Sequence, residues 1–457
     1  MHYTAMFGLL QGKLQTAATQ VEDLIGLKKR ASELNRAEAK GSETRRLKYA
    51  VFAKTSLKAV FDDLEKWRSA FDPSFFLVAR ISVPVIDQQI TEKRADQSKV
   101  ITAVSGLRQA HQANERSTNT TASVFIPSQK IPNRELIKYS TASVANDSTR
   151  RIIIEHIPVT FGLDVEVATK DARDLARVLS KVDPEQFGLL SCRGVMKVLD
   201  EGTSKTTGFD FIFSYPVQGM GPSPCSLRRL LLEWTTNFPL NERVRLAVSL
   251  ARAIVFLHSS RVVHKSIRPE NIIVLQETPG KIGAPFLVGF EKFRFVSTVS
   301  AKSGDSLWEK NLYRHPRRQG PCPEEGFKME HDIYSIGVCL LEIGLWSSFV
   351  DYSSTYQIGN ESIWTPGRDL PITEHILSSD RRGASEKIKN HLLGLARQRL
   401  PASMGAIYTN IVISCLTCLD QGNEGFGDIK EFEDEDGIVV GVRYIEKVIL
   451  RRSLSGK

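Results

Sequence analysis

A polar stretch from residue 114 to 149 divides the chain into two textures, and that division constrains the fold more than any other feature. Arg116-Ser117-Thr118-Asn119-Thr120-Thr121, Ser140-Thr141-Ala142-Ser143 and Asn146-Asp147-Ser148 fill it with hydroxyl and amide side chains, and Pro127 and Pro132 interrupt it. This composition reads as an inter-domain linker. Before it, apolar residues recur every three or four positions. Phe7, Leu10, Leu14, Ala17, Val21 and Leu24 form one stripe, and Ala50, Ala53, Leu57, Val60, Leu64, Trp67 and Phe71 form another. Asp72-Pro73 ends the second helix and opens a third through Phe75, Phe76, Leu77, Val78 and Ile81, apolar almost all round. Amphipathic helices around a buried one predict an all-α bundle over residues 1–113.

After the linker the pattern changes. Arg151-Ile152-Ile153-Ile154-Glu155 reads as a strand, Asp171 to Leu179 as a helix, and Val195–Leu199 and Phe209–Phe213 as further strands. From Arg243, Val244, Ala247, Leu250, Ala251, Ile254 and Leu257 restore helical spacing.

Bulk properties exclude several classes. The 457 residues are 41% apolar and 25% charged, a globular balance. No run approaches the apolar length of a membrane span, and no secretory leader is read at the start. The six cysteines show no disulfide framework, and Cys415 and Cys418 form a lone CxxC in an apolar helix. Residues 1–110 hold 18 Lys and Arg against 12 Asp and Glu, two thirds of the net charge of +9. A basic helical segment can meet anionic lipid or nucleic acid, and a solvated surface with spare lysines is the simpler reading of the same surplus. No nucleic-acid partner is expected.

Trp67-Arg68-Ser69-Ala70-Phe71-Asp72-Pro73-Ser74-Phe75-Phe76-Leu77 resembles the core of the fungal HeLo domain, the helical bundle of heterokaryon incompatibility proteins. In that family a longer apolar first helix is implicated in membrane damage; here only Met6-Phe7-Gly8-Leu9-Leu10 stands in its place.

Val262-Val263-His264-Lys265-Ser266-Ile267-Arg268-Pro269-Glu270-Asn271 resembles the catalytic loop of protein kinases, H-R-D-L-x-x-x-N in consensus. Glu330-His331-Asp332-Ile333-Tyr334-Ser335-Ile336-Gly337-Val338 resembles the later helix whose Asp braces that loop, and Cys322-Pro323-Glu324 stands where A-P-E is expected. The resemblance implies an α+β bilobal kinase-like fold, with an N-lobe over 150–215 and a C-lobe over 216–457. It assigns structural roles to His264, Asp332 and Glu324.

The resemblance is as informative in its losses. Ser266 replaces the Asp that accepts the substrate proton, and a serine hydroxyl holds no such proton at neutral pH. Leu287-Val288-Gly289-Phe290-Glu291 stands in place of D-F-G, with Gly289 at the metal-binding Asp and Glu291 as the substitute carboxylate. Glu155 puts negative charge where the phosphate-gripping Lys belongs, and no glycine occurs between Leu107 and Phe161 to form a phosphate loop. Arg268 replaces the usual loop Lys. Asn271 alone remains to meet a nucleotide's metal.

The expectation is therefore a multidomain pseudokinase: bundle, linker and a kinase-like domain that serves as switch or docking surface in fungal incompatibility or cell-death signalling. Its partners would be proteins, including copies of itself. It would be cytoplasmic, with recruitment to membrane through the bundle. No metal or cofactor is expected, and Mg-ATP is the one group the resemblance leaves open. The rival readings are a divergent Ser/Thr kinase using Glu291 and Asn271, and an oligomerising scaffold. The acidic run Glu431 to Asp436 adds a complementary charge for the basic bundle.

Overall fold

In the computed structural model the chain divides into two units, Met1–Asp72 and Pro73–Lys457. The structure describes residues 124–423 of the second unit, apart from segments 129–130, 132, 148–149, 160–163, 217–222, 234–237, 276–280, 296–303, 359–360, 371–380 and 422, together with Ala110. The helical stripes, the HeLo-like run and the acidic tail lie outside the described residues. Among the described residues no helix is long and apolar enough to cross a membrane.

The described region is mixed α+β. Its first part is a five-stranded antiparallel sheet in the order β1-β2-β3-β5-β4, built from β1 (Glu135–Leu136), β2 (Ala142–Asp147), β3 (Arg150–Pro158), β4 (Cys192–Leu199) and β5 (Thr206–Ser214). Helix α1 (Val165–Leu179) links β3 to β4. Asp164 caps its first turn by accepting from the Glu166 N–H at 2.8 Å. Ala172, Leu175, Ala176 and Leu179 are its buried stripe.

The polar stretch needs correction. Its second half is not a linker: β1 and β2 lie inside it, and β2 pairs with β3 from Ala142 opposite Glu155 to Asp147 opposite Arg150. Phe125 bridges to Val195, and Ile126 and Ile131 pack on Ile152, Ile154, Met196 and Ile212 on one face of the sheet. The six-residue β2 carries Ser143 and Asn146, yet Ala142, Ser143, Val144 and Ala145 are all buried, Ala142 and Val144 on one face and Ala145 on the other, as in a strand covered on both faces.

β3 sets up the site by the same rule. Ile152 and Ile154 face one cluster, Ile153 and Ile157 the other, so Glu155 is directed with Ile153 and Ile157 toward the larger core.

The second part is mainly helical. It contains β6 (Pro224–Ser226), α2 (Leu227–Glu233), α3 (Leu240–Ser259), β7 (Val262–Val263), β8 (Ile272–Leu275), β9 (Ala284–Leu287) and β10 (Arg294–Phe295). There follow α4 (Met329–Leu345), the hairpin β11 (Val350–Ile358) and β12 (Glu361–Pro366), and the helical segment α5 (Arg381–Leu416), broken at Gly405. Helix α4 is the central element: fifteen of its seventeen residues are buried. Cys415 and Cys418 are buried free thiols, as an apolar helix implies, and burial pushes the Cys415 thiol up to about 12.

One buried knot joins four of these segments. Arg228 on α2 donates from Nε to Glu270 at 3.0 Å and from Nη1 to Glu342 on α4 at 2.9 Å. It also meets Ser348 and the Tyr313 hydroxyl, and that hydroxyl donates to Glu342 at 2.9 Å. Arg228 is fully buried, so deleting it strands two carboxylates away from water. Arg228→Met is expected to cost about 3–5 kcal/mol. Urea denaturation of the variant against the parent measures this.

Candidate functional site

The loop between β7 and β8 is held from below by Asp332 at the start of α4. Its Oδ2 accepts from the His264 N–H at 2.8 Å and its Oδ1 from the Lys265 N–H at 2.9 Å. His258 adds a third contact to Oδ2 at 3.2 Å. Burial works to raise the Asp332 pKa, but the His258 hydrogen bond, the two histidine rings and the loop amide together hold it below the usual carboxylate range. Lys265 is thereby kept at φ 66°, a left-handed conformation that a side-chain-bearing residue adopts only where its surroundings impose it.

His264 is equally fixed. Its Nε2 lies 3.0 Å from the Val288 carbonyl, and its Nδ1 accepts from the Ser266 N–H at 3.3 Å, so the proton sits on Nε2. Burial lowers its pKa to about 4, which keeps the ring neutral. Its ring packs 4.8 Å from that of Phe290. His264 and Asp332 are thus fully partnered groups within the core.

The positions that would carry chemistry are occupied otherwise. Ser266 is buried, and its hydroxyl lies 3.4 Å from Glu291 Oε1. Glu291, the substitute metal ligand of the active-kinase reading, accepts from Arg268 Nη2 at 3.1 Å. Burial works to raise the Glu291 pKa, but Arg268 and then Lys310 outweigh it and hold the carboxylate charged. A carboxylate committed to a buried arginine is a poor recruit for Mg²⁺.

Asn271 is pinned as well. Its Nδ2 donates to the Ser266 carbonyl at 2.7 Å. Its Cγ lies 2.2 Å from where a Cβ on Gly289 would stand, so the asparagine fills the volume an aspartate at 289 would need. Gly289 also has φ 90°, which disfavours any side chain there.

Glu155 completes the arrangement. Gly289 is left-handed and Phe290 opens a short 3₁₀ turn, a sequence of conformations that aims successive N–H groups at one point and makes an anion nest. The Glu155 carboxylate lies in it, accepting from the Phe290 N–H and the Gly289 N–H. Its Oε2 is buried with no hydrogen-bond partner. Burial pushes its pKa up to about 7, against the pull of the two amides, and Glu291 adds to the rise. The sequence placed a carboxylate here but not its destination.

Mg-ATP is the group the resemblance leaves open, and the residues do not fit it. The nest that faces the cleft is filled by the protein's own carboxylate, the 289 side-chain space is taken by Asn271, and Glu291 is bound to Arg268.

One other cluster has metal-ligand character. His315, Glu325 and His331 each bring a ligand atom within 4.8 Å of the others. However, His331 Nδ1 accepts from the Lys328 N–H at 2.8 Å, so its Nε2 keeps a proton and donates to Glu325 at 3.1 Å. A metal on Nε2 would need the opposite tautomer. The cluster is a helix-capping pair.

Glu324 also requires correction. Its side chain is half exposed and reaches only the exposed Arg382, at 3.7 Å. The inward role belongs to the adjacent Glu325, and the buried run is Leu312 to Pro316, whose Pro316 stands seven residues before Pro323.

No known protein-family profile matches the chain. It is 30% identical over 194 residues to the RasGEF domain-containing serine/threonine-protein kinase X of Dictyostelium discoideum, covering 40% of this chain and 18% of that one. It is 26% identical over 113 residues to the tyrosine-protein kinase SPK-1 of Girardia tigrina, covering 24% and 20%. It is 29% identical over 120 residues to U-box domain-containing protein 52 of Arabidopsis thaliana, covering 25% and 14%. The chain thus carries a kinase-like region. It spans a fifth or less of the length of these relatives. In this region Asp332 holds the loop through its amides, while Ser266, Glu291 and Glu155 all make internal contacts.

Glu155 gives a pH signature. Its pKa is raised in the folded state, so the fold binds a proton that the unfolded chain releases near 4.5. Stability from this group is full below that value and is lost as pH rises through about 7. The loss relative to Glu155→Gln, which cannot titrate, is expected to be about 3 kcal/mol. Urea midpoints of the two proteins between pH 4.5 and 8 check this.

Proposed function

We propose that this chain is a pseudokinase: a catalytically silent kinase-like signalling protein. Its kinase-like domain acts as a switch or docking surface, and its N-terminal bundle acts as effector. The observation that carries the reading is the Glu155 carboxylate in the Gly289–Phe290 nest. An acid on β3 fills from inside the position where a kinase would grip phosphate, and it opposes any anion that approaches. Ser266 without a carboxylate, and Glu291 bound to Arg268, support the same conclusion independently. The commitment of Glu291 also weighs against the divergent-kinase alternative.

The setting in fungal incompatibility or cell death is supported by the resemblance of Trp67 to Leu77 to the HeLo core. The basic surplus of residues 1–110 supports contact of that bundle with anionic membrane from the cytoplasmic side. Partners are then proteins, including copies of this chain.

Thermal denaturation of the full chain with and without millimolar Mg-ATP tests the central point. The melting temperature is expected to be unchanged, because a ligand that does not bind the folded state cannot stabilise it. A rise of several degrees, accompanied by transfer of labelled phosphate to a substrate, would overturn the proposal.

A further inference from the structure

The turn between β1 and β2 lies on the first sheet, yet its side chains and carbonyl are engaged by the helical part. The Lys138 carbonyl accepts from Ser226 Oγ, at the end of β6, at 2.7 Å. Its ammonium pairs with Glu233 at the end of α2. Tyr139 has φ 56°, a left-handed conformation unusual for a bulky residue and therefore imposed by its contacts. Its ring meets Tyr352 of β11 at 5.4 Å and Trp364 of β12 at 5.8 Å, and those two rings meet each other at 5.5 Å. The hairpin that carries them follows directly on α4, and its first residue, Val350, is fully buried.

Deeper in, the two parts share an apolar core in which the Phe187 and Phe256 rings meet at 4.8 Å, and two polar contacts also cross there. One is Glu155 with the 289–290 amides. The other is the Leu287 N–H donating to the Gly188 carbonyl at 2.8 Å. Of these attachments the turn is the one nearest solvent: Lys138 is exposed and Tyr139 half-buried, whereas Glu155, Phe187, Phe256 and Leu287 are buried.

We infer that the β1–β2 turn is a latch and the β11–β12 hairpin its keeper, the Tyr139–Tyr352–Trp364 triad holding the two parts of the fold closed over the Glu155–Phe290 contact. The inference rests on the proposed reading that the cleft is closed from within, and it names what governs access to it. Aromatic pairs in edge-on geometry contribute modestly each, so the latch is releasable rather than permanent. The ion pair Lys138–Glu233 is exposed and adds little.

Hydrogen exchange of the full chain, with no nucleotide present, separates a latch from local packing. In Tyr139→Ala, the Phe290 and Leu287 amides are expected to exchange about tenfold faster, the opening factor equivalent to two lost ring pairs. Amides within α4 should be unchanged, which shows that the fold is intact. Trp364→Ala removes the keeper instead of the latch and should give the same acceleration, with little added in the double variant. Acceleration confined to residues 137–142, with Phe290 and Leu287 unaffected in both variants, would overturn the inference. That outcome would leave the absence of nucleotide binding untouched, because the two measurements share no ligand.

Discussion

Everything about this site depends on one buried carboxylate. Asp332 accepts from two consecutive loop amides and from His258, and so fixes the segment from His264 to Asn271 against α4. The loop in turn positions His264, whose ring supports Phe290 and whose Nε2 holds the Val288 carbonyl. With Val288 and Phe290 placed, Gly289 between them presents its amide to β3. The nest that receives Glu155 therefore exists because Asp332 holds a loop more than sixty residues away in sequence. A buried ionised acid of this kind is tolerated because donors surround it.

On the proposed pseudokinase reading, the scaffold that holds the loop is separable from the groups that would act on a substrate. In that reading each vacated role is taken by a neighbour. Asn271 fills the side-chain volume at 289, Arg268 draws in Glu291, and Glu155 fills the amide nest. These substitutions leave few polar groups unpaired; Glu155 Oε2 and Asn271 Oδ1 are buried acceptors without a donor. They mark where the local arrangement is least relaxed, and the raised pKa of Glu155 is one expression of that cost.

The sequence disclosed the parts whose meaning is local. His264, Asn271 and Asp332 lie in compact motifs, and β3, α1 and β5 follow from apolar periodicity. It did not disclose contacts made across long separations. Nothing in the leucine-rich run around Arg228 signals that its guanidinium meets Glu270 and Glu342. β1 and β2 were hidden because their serines and asparagines imitate a linker, whereas pairing with β3 decides their structure. Glu324 was misplaced because a Pro-Glu pair is common, and burial rather than spelling identifies which segment packs inward. The β11–β12 hairpin does carry a local signal, Gly359-Asn360 between β-prone flanks.

The Phe290 amide reports directly on whether Glu155 resides in the 289–290 nest in solution. Selective ¹⁵N labelling of phenylalanine allows that amide to be followed as pH is varied. Its resonance is expected to titrate with a midpoint of about 7, and the titration to disappear in Glu155→Gln. A Phe290 amide that is insensitive to pH, or that titrates at the ordinary carboxylate value near 4.5 in both proteins, would contradict that placement of Glu155.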